Sequence, residues 1–337
     1  MSIIMTGGGT GGHLAIIKAV KEFVNDNELI YIGSTKGQDR AWFEEDASFA
    51  FRYFLETQGV VNQGILGKIK SLWMLLKAGI KARKILKKHN ASVVFCVGGF
   101  SAAPTSLAAK SLGIPLIIHE QNATIGALNK LLRPYAHTFI SSYEKESPIH
   151  SYPIKKEFFE KSRVRQELKT VIFLGGSQGA KAINQLALDL APLLQERGIK
   201  IIHQAGEKSI QEVQQSYRDI GINAEVFGFT TQLSSYMQEA DFAIARAGAS
   251  TLWELSAIAC PTLFVPYPYA AGDHQYHNAK FLEEQGVAWI LREKELSTSK
   301  VLAYLETNLE PISRKLQELI DDDGAIQIAN LLKNFEK

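Results

Sequence analysis

His13 ends the run Gly7-Gly8-Gly9-Thr10-Gly11-Gly12-His13, which follows the apolar segment Ser2-Ile3-Ile4-Met5-Thr6 and opens a helix-like stretch from Ile16 to Phe23. Glycines let backbone approach a ligand closely, and a helix N-terminus offers free N–H groups and a partial positive charge to an anion. The loop lacks the Lys-Ser/Thr of a P-loop and the spacing of a dinucleotide fingerprint, so alone it is compatible with a plain tight turn. A titratable imidazole at its rim makes it a candidate for acid–base chemistry. His13 is the candidate base. Glu120, in His119-Glu120-Gln121-Asn122 just beyond the apolar run Leu116–Ile118, is the alternative; Asn129, seven residues past Asn122, would share its face on a helix.

Three further stretches concentrate groups that bind phosphate, ribose or sugar. Gly175-Gly176-Ser177-Gln178-Gly179-Ala180 repeats the strand–glycine–helix layout after Thr170-Val171-Ile172-Phe173-Leu174. Arg246-Ala247-Gly248-Ala249-Ser250-Thr251-Leu252-Trp253-Glu254 opens a helix with small residues, and Glu254 could accept both hydroxyls of a ribose. Its bland alternative is a solvated helix carboxylate. Gly272-Asp273-His274-Gln275-Tyr276-His277-Asn278-Ala279 can read sugar hydroxyls; His274 and His277 lack a nearby cysteine or third histidine, so zinc is not expected. No Asp-x-Asp sits in a loop suited to magnesium, and Asp321-Asp322-Asp323 reads as a helix start. No cofactor is implied.

The elements that must hold these residues alternate between short apolar runs and helical stretches. Expected strands are Leu29–Ile32, Val93–Val97, Leu116–His119 and Thr138–Ser141, then Lys200–Gln204, Ala224–Phe227, Phe242–Ala245 and Thr262–Val265. Continuous Val/Ile/Leu/Phe runs suit parallel strands covered on both faces. The two glycine loops lie about 170 residues apart in a chain of 337 residues, enough for one domain each. The pattern predicts an α/β protein of two Rossmann-like, doubly wound parallel-sheet domains facing across a cleft, with glycine loops at the C-terminal strand ends. A first domain is expected over 1–154 and a second over 155–317, linked near Ser151-Tyr152-Pro153-Ile154-Lys155.

Composition is that of an ordinary globular chain, 46% hydrophobic and 21% charged, and a net charge of +2 gives no field for nucleic acid. Cys96 and Cys260 sit far apart in apolar segments, as buried thiols of a reduced compartment do. No signal peptide precedes the first loop, and no run reaches the roughly 20 apolar residues of a spanning helix. A cytoplasmic chain with at most peripheral membrane contact is expected.

Together the five motifs, in this order and spacing, resemble the MurG family of GT-B glycosyltransferases, which use UDP-N-acetylglucosamine to convert lipid I to lipid II. The resemblance spans nearly the whole chain and implies an inverting, metal-independent transfer to the N-acetylmuramyl sugar of lipid I. It implies that Thr10, Gly11, Gly12 and His13 lie at the acceptor diphosphate and the reacting hydroxyl, with Asn129 also on the acceptor side and the loop residues Thr10, Gly11 and Gly12 also reaching the donor. It further implies that Asn122, Ser177, Arg246 and Gln275 contact the donor, that backbone near Thr230 meets the uracil, that Ala249, Ser250, Thr251, Leu252 and Trp253 meet the phosphates, and that Glu254 meets the ribose. A last helix, about 318–337, is implied to return to the first domain. Three positions depart from the family: Ile16 replaces a proline, Phe100 replaces an aromatic hydroxyl, and Lys155 stands for a linker arginine at the diphosphate, keeping charge without bidentate geometry.

No Asp or Glu occurs between Glu56 and Glu120, while Lys68, Lys70, Lys77, Lys81, Arg83, Lys84, Lys87, Lys88 and Lys110 do. On one helix over 68–88, Lys70, Lys77, Lys81, Lys84 and Lys88 form a stripe flanked by Leu66, Ile69, Trp73 and Ile80, although Gly79 weakens a single helix. The pattern is equally that of a solvated face; with a lipid-linked acceptor it reads as a surface for anionic lipid at the cytoplasmic face of the inner membrane, with Ile69, Lys70, Trp73 and Lys77 at its centre. Rival readings are a UDP-N-acetylglucosamine epimerase on the same scaffold and a non-catalytic nucleotide-binding scaffold.

Overall fold

The computed structural model describes residues 1–24, 29–57 and 65–335, with side chains from Ser71 onward in the last stretch. The chain forms two compact units, Met1–Lys155 with Asp322–Lys337, and Lys156–Asp321.

In the first unit the strands are β1 (Ser2–Thr6), β2 (Ile30–Ser34), β3 (Phe51–Leu55), β4 (Ala91–Cys96), β5 (Leu116–Glu120) and β6 (Thr138–Ser141), all parallel in the order β3-β2-β1-β4-β5-β6. Helices α1 (Gly11–Lys21), α2 (Asp39–Phe43), α3 (Ile65–Lys88), α4 (Ala103–Leu112) and α5 (Ala127–Leu132) connect them. The chain order reverses between β1 and β4, and open α/β sheets bind ligands at the strand ends beside such a reversal. The glycine loop follows β1, and Gly98-Gly99 follows β4. Ile16 is buried in α1, which begins at Gly11, so the departure from proline fills core and leaves the helix start intact.

Helix α3 runs unbroken through Gly79. Ala78, Ala82 and Leu86 form its inner face and share a core with Ala108 and Ala109 of α4, small side chains that allow close helix approach. Its outward apolar residues Leu72, Trp73, Leu76 and Ile80 are each more than half exposed. No described helix is long and apolar enough to cross a membrane.

The second unit opens with α6 (Lys156–Glu160) and holds β7 (Thr170–Leu174), β8 (Lys200–Gln204), β9 (Glu225–Phe227), β10 (Phe242–Ala245), β11 (Thr262–Phe264) and β12 (Ala288–Ile290) in the order β12-β11-β10-β7-β8-β9. This is the same winding, with its reversal between β7 and β10. Helices α7 (Lys181–Glu196), α8 (Ile210–Asp219), α9 (Leu233–Glu239), α10 (Ala249–Ala257), α11 (His274–Glu284), α12 (Thr298–Leu305) and α13 (Glu310–Leu319) complete it. The chain then returns to the first unit, where α14 (Gly324–Lys333) packs beside α1 through Ala325, Ile328, Ala329 and Leu332. Gly324 fits because a Cβ there would strike the carbonyls of Ser151 and Tyr152.

Candidate active site

In the first unit the glycine loop is held from below. Asp39, fully buried at the start of α2, accepts hydrogen bonds from Ser34 N (2.9 Å) and Gly9 N (2.6 Å). The Tyr31 hydroxyl lies 2.9 Å from Gly7 O and 3.0 Å from the same carboxylate, sharing its proton between them. Burial and then Asp39 keep that hydroxyl protonated far above the usual tyrosine range. Gly8 sits so close that a Cβ would reach the Asp39 carboxylate, at 2.6 Å. Phe100 lies against Gly9 as a ring, with no hydroxyl to offer.

His13 stands in the first turn of α1 with Nδ1 2.8 Å from Thr10 Oγ1 and Nε2 3.0 Å from the Gln121 amide nitrogen. With that amide donating, Nε2 is the acceptor and Nδ1–H donates to Thr10, so the basic lone pair is the one beside Gln121. A base so arranged has its tautomer fixed by two neighbours.

Glu120 takes a different part from the one expected of it. It is 2% exposed and accepts from Asn122 N (3.0 Å), Asn122 Nδ2 (3.4 Å), Gly126 N (2.9 Å) and Asn129 Nδ2 (2.9 Å). With its acceptor sites engaged, it anchors the loop that carries Gln121 and Asn122 and has no lone pair left for a substrate proton. Asn129 is likewise corrected: it is 3% exposed, donates to Glu120 and lies under Gly98, so it positions the loop from beneath. His119 is wholly buried edge-to-face with Tyr152, 5.5 Å between rings, and burial followed by the nearby His13 lowers its pKa to about 3.

In the second unit Gly179 and Gly206 pass so closely that a Cβ on either meets the other's loop backbone within 2.6 Å, and Glu207 N donates to Ser177 O at 3.2 Å. Ser177 is half-buried at this loop, and Thr230, half-buried after β9, accepts from Gln232 N (3.0 Å). Gly248 caps α10 with no side-chain bond to its first turn. Leu252 N already donates to Gly248 O, while Leu252 and Trp253 are 0% and 4% exposed. The N–H groups outside the helix ladder therefore belong to Ala249, Ser250 and Thr251, and the expected phosphate contacts of Leu252 and Trp253 are corrected to core packing. Ser250 Oγ donates to Glu254 Oε1 at 2.6 Å, orienting a carboxylate that is not a free solvated one.

Arg246 also departs from expectation. Its guanidinium donates to Val265 O (3.0 Å), Pro266 O (3.2 Å) and Glu293, above the Tyr267 ring, so it organises the loop after β11. Within that loop Tyr267 N donates to Gln275 Oε1 (2.9 Å) at the start of α11. Lys155 is the half-buried last residue before the second unit. Of the four residues expected at a lipid surface, Trp73 is exposed with Lys77 Nζ 5.3 Å over its ring, whereas the side chains of Ile69 and Lys70 lie outside the described residues. Asp39 and Tyr31 escaped the sequence reading because no local motif marks them; Gln121 sat inside a quoted motif but gained its role only from its distance to His13.

The glycosyltransferase family 28 N-terminal domain model matches residues 3–141 and the C-terminal domain model matches residues 170–331. A relative from Sulfurovum sp., named UDP-N-acetylglucosamine–N-acetylmuramyl-(pentapeptide) pyrophosphoryl-undecaprenol N-acetylglucosamine transferase, is 68% identical over all of both chains. One of the same name from Wolinella succinogenes is 52% identical over 98% of this chain and 99% of its own. Among solved structures, Acinetobacter baumannii MurG superposes with a TM-score of 0.77 at 27% identity over 99% of each chain. The Neisseria meningitidis UDP-GlcNAc 2-epimerase, TM-score 0.64 at 11% identity over 99% of this chain and 100% of its own, shares the fold alone. With the two domain models matched over residues 3–141 and 170–331, the chain belongs to glycosyltransferase family 28.

Proposed function

We propose that this chain transfers N-acetylglucosamine from UDP-N-acetylglucosamine to the N-acetylmuramyl sugar of undecaprenyl-pyrophosphate-linked lipid I, forming lipid II. The observation that carries this reading is 68% identity over the full length to the transferase of that name. His13 supports it chemically: once the acceptor sugar hydroxyl displaces the Gln121 amide from Nε2, that nitrogen takes the hydroxyl proton as the oxygen attacks the anomeric carbon from the face opposite the leaving group. The bond from that carbon to the phosphate oxygen breaks, and UDP leaves with the electron pair, so the configuration inverts. First-turn N–H groups of α10 from Ala249 to Thr251 stabilise the charge growing on the diphosphate. Glu254, set by Ser250, holds the ribose, and Gln275 with Ser177 the sugar. In this reading the first unit is the acceptor half and the second the donor half.

The lipid acceptor also gives α3 a purpose. Leu72, Trp73, Leu76 and Ile80 enter the headgroup boundary while Lys77, Lys81 and Lys84 meet anionic lipid, holding the chain peripherally on the cytoplasmic face of the cell membrane.

A transfer assay with UDP-N-acetylglucosamine and a short-chain lipid I analogue tests the reading. His13→Ala is expected to lower turnover roughly 100- to 10,000-fold with UDP binding unchanged. Near-normal turnover in that variant removes His13 as base, and release of a rearranged sugar nucleotide without acceptor favours the epimerase reading.

A further inference from the structure

We propose that Arg292 and Glu293, adjacent at the exit of β12, are positioning residues that act as a two-pronged clamp on the donor site: Glu293 fixes the entry to α10 and Arg292 fixes the start of α11. The proposal rests on the assignment of the donor to the second unit.

Strand β12 is three residues long and pairs only with β11 at the sheet edge, yet the two residues that leave it reach two different donor-site loops. Backbone at Arg292 is extended (φ −71°, ψ 149°), so the two neighbouring side chains diverge. Glu293 pairs with Arg246, the first residue after β10, at side-chain exposures of 26% and 12%. Arg246 in turn holds the carbonyls of Val265 and Pro266, and the loop so fixed offers Tyr267 N to Gln275 Oε1. Arg292 takes the other direction, donating to Asp273 Oδ2 at 2.8 Å and lying 4.0 Å over the Tyr276 ring.

Asp273 needs holding. It is a non-glycine residue at φ 51°, in left-handed backbone that L side chains adopt at a cost, and it stands just before the helix that begins at His274 without a side-chain bond to its first turn. Arg292 is itself set in place, since its backbone N–H donates to Glu295 Oε2 (3.1 Å) and Glu295 N donates back to the Arg292 carbonyl (2.8 Å). Between the Pro266–Tyr269 loop and the β12 exit lies a cavity of about 390 Å³, lined by Pro266, Pro268, Tyr269, Arg292, Glu293 and Lys294. The two charged pairs flank this cavity and add to the β11–β12 pairing and to the Leu291 N bond to Phe264 O (3.0 Å). The order of charges is specific: exchanging Arg292 and Glu293 would set Glu against Asp273 and Arg against Arg246.

The test is steady-state kinetics on the full chain with R292Q, E293Q and the exchanged pair R292E/E293R, alongside UDP titration calorimetry and thermal unfolding. Each single variant should raise the KM for UDP-N-acetylglucosamine about tenfold, leaving the acceptor KM and kcat at saturating donor within about twofold. The exchanged pair should exceed the product of the single effects, and E293D should restore part of the loss. Donor KM within about twofold of the parent in both single variants overturns the clamp, as does an equal change in acceptor KM or kcat. Should E293Q unfold, R292Q, whose partner is half exposed, reads the same quantity. Glu254→Ala separates the two levels: normal UDP binding there overturns the donor assignment itself, whereas weakened binding there beside normal R292Q and E293Q overturns the clamp alone.

Discussion

At the scale of residues, chemistry and support divide cleanly. His13 is oriented by Thr10 and Gln121, and the second of these contacts follows from Glu120, whose carboxylate gathers the loop bearing Gln121. The sequence offered His13 and Glu120 as rival bases because a carboxylate past a strand end looks reactive; four donors converging on it become visible only in three dimensions. Asp39 is the same lesson in its strongest form. It touches Gly9, thirty positions back, and nothing beside it in the chain announces that contact. Removing its carboxylate leaves the Gly9 and Ser34 N–H groups without their acceptor, and bonds to charged groups contribute about 1.5–3 kcal/mol each. Asp39→Ala is expected to lower stability by about 3 kcal/mol or more in urea unfolding and to reduce kcat more than donor affinity, since the loop it anchors bears the base.

At the scale of elements, the strands were legible except β3 and β12, each at one edge of its sheet, whereas the opposite edges β6 and β9 could be read. Expected runs at Thr138–Ser141, Lys200–Gln204 and Phe242–Ala245 coincide with β6, β8 and β10. β3 and β12 gave no such signal: in β3 Phe51 is exposed and Arg52 half-buried, and β12 is three residues long, so neither carries the apolar run that betrays a covered strand. Gly79 was the opposite error. A glycine lowers helix propensity by roughly 1 kcal/mol, but packing of Ala78, Ala82 and Leu86 against α4 outweighs that loss. The outward ridge of α3 predicts salt-sensitive adhesion. Lys77→Gln/Lys81→Gln/Lys84→Gln should weaken binding to anionic vesicles on the order of 100-fold at low salt, taking about 1 kcal/mol per cation, and should leave binding to neutral vesicles unchanged. Trp73→Ser/Leu76→Ser should weaken binding to both. Equal co-sedimentation of parent and variants removes α3 from the membrane surface.

At the scale of the molecule, two doubly wound parallel sheets were readable from repeated strand–glycine–helix beginnings, because a buried parallel sheet imposes that punctuation on any sequence, and the structure adds that both share one strand order. Each unit also buries a neutral histidine, and this sets how the whole responds to acid. Burial lowers the pKa of His119 and of His203, the latter held between Tyr217 and Asn184, to about 3 in each case. Both titrate near 6.5 once unfolded, so between about 6.5 and about 3 the unfolded chain binds more protons and folding stability falls as pH decreases. Near pH 5 each contributes a slope of about 1.4 kcal/mol per pH unit. His203→Gln should remove one such slope from urea midpoints measured between pH 6 and pH 4, and an unaltered slope would show that His203 is not neutral in the fold.

Helix α14 lies against α1 although the whole second unit separates them in the chain. A ribosome therefore delivers the opening half first yet withholds the helix that packs beside α1 until the whole second unit has been made. The earliest-born half is the last to be finished, and during that interval its uncovered flank is a place for a chaperone to hold.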